Sequence, residues 1–230
     1  MKNSILIIFS LYVIIIAASV VQASGQKTNN QLAVVGETGE KIDDFLTRLS
    51  GFGYSGAVLV IRDNKVILRK GYGFANRDEK IPNTPNTVFD VGSFAKTFTA
   101  AAILQLEASR KMKVTGPIGK YLSNVPTDKT NITVHQILTH TSGLRDNFGT
   151  YEDITREQAL DRIFKIPLGF APGSKYAYSN GGYVVLAAIV ESAAGVPYRE
   201  YVKKNIFEPV GMNSTGFWGK LAPPVKPSLF

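Results

Sequence analysis

The chain has 230 residues, 44% of them hydrophobic, which is enough for one core and too few for two large ones. It has no cysteine, which excludes disulfides, thiolate metal sites and a cysteine nucleophile; with only two histidines, His135 and His140, no His/Asp/Glu cluster has metal-ligand spacing, and neither metal nor cofactor is expected. The net charge of +8 raises nucleic acid as a partner, but no basic run is longer than Arg110-Lys111-Met112-Lys113, so a basic exported protein fits better than a nucleic-acid binder.

In chain order, Lys2 and the apolar stretch Ile5 to Val21 read as an export signal. Small residues around Val21-Gln22-Ala23 place cleavage after Ala23, giving a signal peptide over residues 1–23. An uncleaved membrane anchor over residues 5–21 is the alternative, since the run is at the lower edge of a membrane span. Residues 24–36 read as a linker, with the folded domain over 37–230. Ile42, Phe45, Leu46 and Leu49 have the spacing of an amphipathic helix that Gly51 ends.

Gly56 to Arg62 is a continuous apolar run suited to a strand covered on both faces. Asp63-Asn64 signals a turn, and Lys65 to Tyr72 supplies an antiparallel partner. A two-stranded sheet is marginal alone, so Ala57 to Ile61 wants a neighbour on its other edge, and no later strand of similar strength follows. Residues 76–86 are loop, and Val88 to Gly92 reads as a short strand and turn. Thereafter the chain is mainly helical: an apolar helix through Thr97–Leu106, a capping box at Thr155-x-x-Gln158 with the stripe Leu160, Ile163 and Phe164, and a helix from about Gly182 to Ala194 with Gly195 and Pro197 as stop and restart signals. The tail Ala222 to Pro227 is rich in proline.

The chemistry-bearing segments are Ser93-Phe94-Ala95-Lys96 and Tyr178-Ser179-Asn180. Ser-x-x-Lys at a helix start sets a hydroxyl and an amine on one face, the arrangement for a serine nucleophile whose proton a neutral lysine takes. The spacing alone is weak. It arises by accident about once in a chain of this length, and Ser24-Gly25-Gln26-Lys27 repeats it in a polar stretch. Ser93 differs because a helix apolar nearly all round follows it, with Phe94, Ala95 and Phe98 beside Lys96, which suggests a buried amine in a dry cleft. The helix by itself does not choose between a nucleophile and an N-cap.

Ser93-Phe94-Ala95-Lys96, His140-Thr141-Ser142-Gly143-Leu144, Pro172-Gly173 and Tyr178-Ser179-Asn180 resemble, in that order, the β-lactamase-related serine hydrolases: class C β-lactamases, D-alanyl-D-alanine carboxypeptidases and related esterases. The stretches Lys70 to Asn76 and Ile206 to Met212 are similar to family segments too, so the likeness runs from about Ile42 to Phe217. The resemblance implies an α/β (α+β) fold of β-lactamase/transpeptidase type, with an antiparallel sheet flanked by helices and a mainly helical region. It implies that Ser93 attacks a carbonyl to form an acyl-enzyme, that Lys96 is the base, and that Tyr178 shares the proton as base or acid. Asn180 would hold the substrate amide and orient Lys96, and the Ser93 N–H would be one oxyanion donor. Thr139 to Leu144 would be scaffold, with His140 structural rather than a base; His135 is expected on a helix, also structural.

The family's third motif, Lys-Thr-Gly or His-x-Gly on a late strand, has no counterpart after Asn180. Asn213-Ser214-Thr215-Gly216 comes too soon and lacks the basic residue. The family's C-terminal strands are missing as well, so the chain reads as a member cut short. The expected function is an envelope serine hydrolase, periplasmic or extracellular, acting on a D-alanyl peptide, a β-lactam or a small ester. Impaired activity follows from the missing motif. A non-catalytic remnant, a module binding peptidoglycan-like ligands, or a fragment that does not fold alone are the alternatives.

Overall fold

The computed structural model describes residues 32–145 and 154–217. The signal segment, residues 24–31 of the expected linker and the proline-rich tail lie outside the described residues. The described residues divide into two compact units: one holds those up to Phe74 with Pro82–Asn86, the other Ala75–Ile81 with those from Thr87 onward. Among the described residues no single helix is long and apolar enough to cross a membrane.

The first unit is a three-stranded antiparallel sheet under one helix. Its strands are β1 (Ala33–Val34), β2 (Gly56–Arg62) and β3 (Lys65–Tyr72), in the order β1-β3-β2. Asp63 and Asn64 both have positive φ, 50° and 59°, the hairpin turn whose twist matches that of the flanking strands. Pairing sets Val60 against Leu68 and Val58 against Lys70, with an irregularity between Val60 and Ile61. Helix α1 (Gly36–Gly51) packs on β3. Gly39 makes this approach possible, since a Cβ there would meet the Ile67 carbonyl at 2.5 Å. Asp43 of α1 accepts hydrogen bonds from Lys70 Nζ at 2.7 Å and Tyr72 Oη at 2.8 Å. These bonds, Lys70's first, hold the Asp43 carboxyl below the usual range, and burial pushes the Tyr72 phenol up.

Three expectations fail here. Residues 24–36 are not wholly linker: Ala33 and Val34 pair with Arg69 and Leu68, and α1 begins at Gly36. An edge position needs only two residues of ladder, too short to show as a periodic pattern. Strand β2 is not covered on both faces, for Leu59 and Ile61 are 58% and 57% exposed. An unbroken apolar run does not reveal how many of its faces are packed. Phe45, placed on the buried stripe of α1, is exposed. As anticipated from sequence, no strand among the described residues pairs with the outer edge of β2.

A second, two-stranded sheet pairs β4 (Phe74–Asn76) with β5 (Ile81–Pro82). The second unit is helical: α2 (Ala95–Ala108), α3 (Val134–Leu138), α4 (Arg156–Lys165), α5 (Asn180–Ala194) and α6 (Tyr198–Val202). A π-helical turn at Lys203–Phe207 continues α6. Among the helices of ten residues or more, α2 and α5 are the least polar and pack together, burying Ala102, Ile103 and Leu106 with Val185, Leu186 and Ile189. Helices apolar nearly all round can be stable only inside, so this pair forms the centre of the unit. The expected capping box at Thr155 and Gln158 is present, with Ile163 and Phe164 buried. Val88 to Gly92 is no strand. The Gly92 N–H instead donates to Asp90 Oδ1 at 2.8 Å, a side-chain turn that opens the 3₁₀ segment Gly92–Phe94.

Candidate active site

Each half of the candidate site sits at the N-terminal end of a buried helix. Ser93 lies in the 3₁₀ turn that leads into α2, and Lys96 lies in the first turn of that helix. Tyr178 and Asn180 straddle Ser179, the N-cap of α5, whose Oγ accepts from the Gly182 N–H at 2.9 Å. Because α2 and α5 pack against each other, these ends meet. Tyr178 Oη donates to Ser93 Oγ at 2.7 Å. Lys96 Nζ donates to Ser93 Oγ at 3.2 Å and to Asn180 Oδ1 at 2.7 Å. All four residues singled out from sequence are thus brought together.

The amine also lies 4.8 Å from the centre of the Tyr178 ring and 5.6 Å from that of Tyr183, distances at which ring faces attract a cation. Tyr183 was not foreseen, although a signal existed: it follows Asn180 by three residues on α5, hence on the same face. Its hydroxyl donates to the Leu138 carbonyl at 3.1 Å, and burial, then the nearby Tyr178, pushes its phenol up. It stays a neutral ring beside the amine.

The segment bearing Tyr178 is held by the turn Thr139 to Leu144. Gly169 N–H donates to Gly143 O at 2.8 Å, Gly173 N–H to Thr141 O at 2.7 Å, and Ala177 N–H to His140 O at 2.9 Å. Gly143 has φ of 78°, and any Cβ there would run into the Phe170 carbonyl, so the close approach needs glycine. The scaffold reading of this turn fits these contacts. His140 does more than that reading anticipates, since its Nδ1 accepts from the Ser179 N–H at 3.1 Å and its ring lies against Tyr178. His135 is on α3, where its carbonyl accepts from Thr139 Oγ1.

Among the described residues, none closes the expected dry cleft. Ser93 is exposed, Tyr178 is 48% exposed and Lys96 only half-buried. Phe94, expected to help enclose the amine, is itself 61% exposed. A helix lined with apolar residues buries its interior turns, but its first turn opens outward unless another segment covers it. Asn213 to Gly216 forms a turn and no strand. Among the described residues no cluster of His, Asp and Glu suits a metal ion.

A helix-borne Ser-x-x-Lys facing Tyr-x-Asn across two packed helices, in a chain that also carries a small antiparallel sheet under a helix, defines the β-lactamase/transpeptidase-like class of folds. The chain belongs to the Beta-lactamase family, whose model matches residues 44–225. A putative penicillin-binding protein of Bacillus subtilis is 35% identical over 195 residues, covering 85% of this chain and 48% of the relative. The teichoic acid D-alanine hydrolase of Staphylococcus aureus is 31% identical over 179 residues, covering 78% of this chain and 44% of that protein. The crystal structure of FmtA from Staphylococcus aureus matches with a TM-score of 0.68 at 31% identity, over 78% of this chain and 51% of its own. The chain therefore spans about half the length of the relatives it matches.

Proposed function

We propose that this chain carries the nucleophile and its activating groups for a serine hydrolase of the cell envelope, forming an acyl-enzyme through Ser93. The observation that carries the reading is the convergence of two proton-bearing groups, Tyr178 Oη at 2.7 Å and Lys96 Nζ at 3.2 Å, on one side-chain alcohol. A serine serving only as a cap would not need both.

Both neighbours donate to Ser93 Oγ. For Ser93 to attack, one of them must first lose its own proton and then accept the alcohol's. Lys96 is the base in this reading, with Tyr178 passing the proton between Ser93 and the leaving group. Asn180, fixed by accepting from Lys96, orients the amine and holds the substrate's amide. The Ser93 N–H serves as one oxyanion donor. Relatives named for penicillin binding and for teichoic acid D-alanine hydrolysis favour a D-alanyl ester or amide, or a β-lactam, as substrate, with a small ester also within reach. Export through residues 1–23 agrees with such substrates.

Turnover by these 230 residues is expected to be slow. The strand that would bring a second oxyanion donor has no counterpart in the sequence after Asn180, and loss of one such donor costs about 10²–10³ in rate. The test is incubation with a fluorescent penicillin or a fluorophosphonate, followed by intact-mass measurement of the wild type and S93A. A single adduct on the wild type, absent from S93A, is expected. Labelling equal in both would refute the nucleophile, and labelling at the rate of an ordinary serine hydrolase would refute the impairment.

A further inference from the structure

We propose that His140 is a positioning residue for the Tyr178 phenol, its imidazole serving both as a hydrogen-bond acceptor and as a wall against the ring that reaches Ser93. This rests on the serine-hydrolase reading for its consequence, though not for its geometry.

The backbone N–H groups on both sides of Tyr178 bond to this one residue. That of Ala177 donates to the His140 carbonyl at 2.9 Å, and that of Ser179 donates to its Nδ1 at 3.1 Å. Between them, the imidazole lies 4.5 Å from the Tyr178 ring at 33°, and on Tyr183 at 5.2 Å and 35°. Tyr176 closes edge-on at 5.9 Å. The backbone beside Tyr178 and its ring are therefore both held by the same residue, His140, through its carbonyl, its Nδ1 and its ring face, which aims the hydroxyl at Ser93 Oγ, 2.7 Å away.

The chain reverses at His140 with φ of 57°, a conformation that histidine and asparagine adopt more readily than most residues. Asparagine or glycine would satisfy a turn needed only for the reversal. What imidazole adds is the flat wall and an acceptor at ring height. Acceptance at Nδ1 requires the proton on Nε2, and a doubly protonated ring would have no acceptor for Ser179. Among the described residues, the titratable groups against it include the phenols of Tyr176, Tyr178 and Tyr183, with the Lys96 amine over the last two rings.

The test is a double-mutant cycle between H140N and Y178F. Asparagine keeps the left-handed turn and removes the wall, while phenylalanine keeps the ring and removes the hydroxyl. The readout is the second-order rate of fluorophosphonate addition at Ser93. Displacing a reacting group by an ångström costs on the order of 10²-fold, so H140N is expected to slow labelling by about 10- to 100-fold in the wild type. In the Y178F background its further effect should be under about 2-fold, because two changes acting through one group do not add. A purely structural histidine would cost as much in either background, and that result overturns the proposal. Carbon-13 tyrosine spectra give a second reading that needs no activity: the Tyr178 signals, identified by their loss in Y178F, should move toward those of a freely solvated tyrosine in H140N. Unmoved signals would also overturn it. If the wild type fails to label, the hydrolase reading falls, and these spectra still decide the role of His140.

Discussion

Replacing Tyr178 by phenylalanine removes one hydroxyl and almost nothing else. The ring keeps its packing on His140 at 4.5 Å and stays under the Lys96 amine at 4.8 Å. The lost atom is the one 2.7 Å from Ser93 Oγ. If Tyr178 only donates a hydrogen bond to the reacting oxygen, its deletion costs about 1.5–3 kcal/mol, the range for bonds to charged groups. At about 1.4 kcal/mol per decade, this is a loss of roughly 10- to 100-fold in acylation rate. If Tyr178 transfers the proton, the loss extends to about 10²–10⁴. Since Tyr178 is half-exposed and its ring contacts persist, stability should change by less than about 0.5 kcal/mol. The assay is the second-order rate of Ser93 modification by intact mass, with urea unfolding alongside. A Y178F chain labelled as fast as the wild type, at unchanged stability, would refute the role given to this hydroxyl.

Replacing Lys96 by methionine should reduce Ser93 labelling by about 10²–10⁴, the range for loss of a positioned base; unchanged labelling would leave Tyr178 as the base. I189A should destabilise the second unit by about 2–5 kcal/mol, because Ile189 is fully buried between helices and leaves a cavity; the urea midpoint measures it. G143A should lower that midpoint as well and weaken labelling, since the new Cβ runs into Phe170's carbonyl and pushes away the segment that carries Tyr178. The Asp43 carboxyl is held below its ordinary value by the Lys70 and Tyr72 bonds. Its contribution is therefore present above the unfolded carboxylate's pKa and is lost as pH falls through the lower folded value. Below about pH 4 the wild type should lose stability relative to D43N, and parallel pH curves for the two would contradict this.

Periodic and capping signals were readable wherever local chemistry decided the outcome. The Asp63-Asn64 hairpin, the Thr155 capping box, and the helices after Ser93 and Ser179 each depend on residues within a few positions of one another. Less was readable where a distant partner decided. Strand β1 exists only because β3 lies beside it, and the open face of β2 depends on what packs there rather than on its own residues. Val88 to Gly92 misled because its apolar residues outweighed a single Asp90 turn.

The same division runs through the site. Residue order alone singled out the four candidate side chains, because a hydroxyl and an amine one helical turn apart, and a phenol and an amide around an N-cap, are fixed by local geometry. Only the tertiary structure decided that these pairs meet, that Tyr183 and His140 frame them, and that the alcohol stands open to water. Those facts depend on how α2 packs against α5 and on how the His140 turn grips a segment nearly forty residues further on. Packing of that kind is a property of surfaces in contact, and no stretch of sequence contains both surfaces.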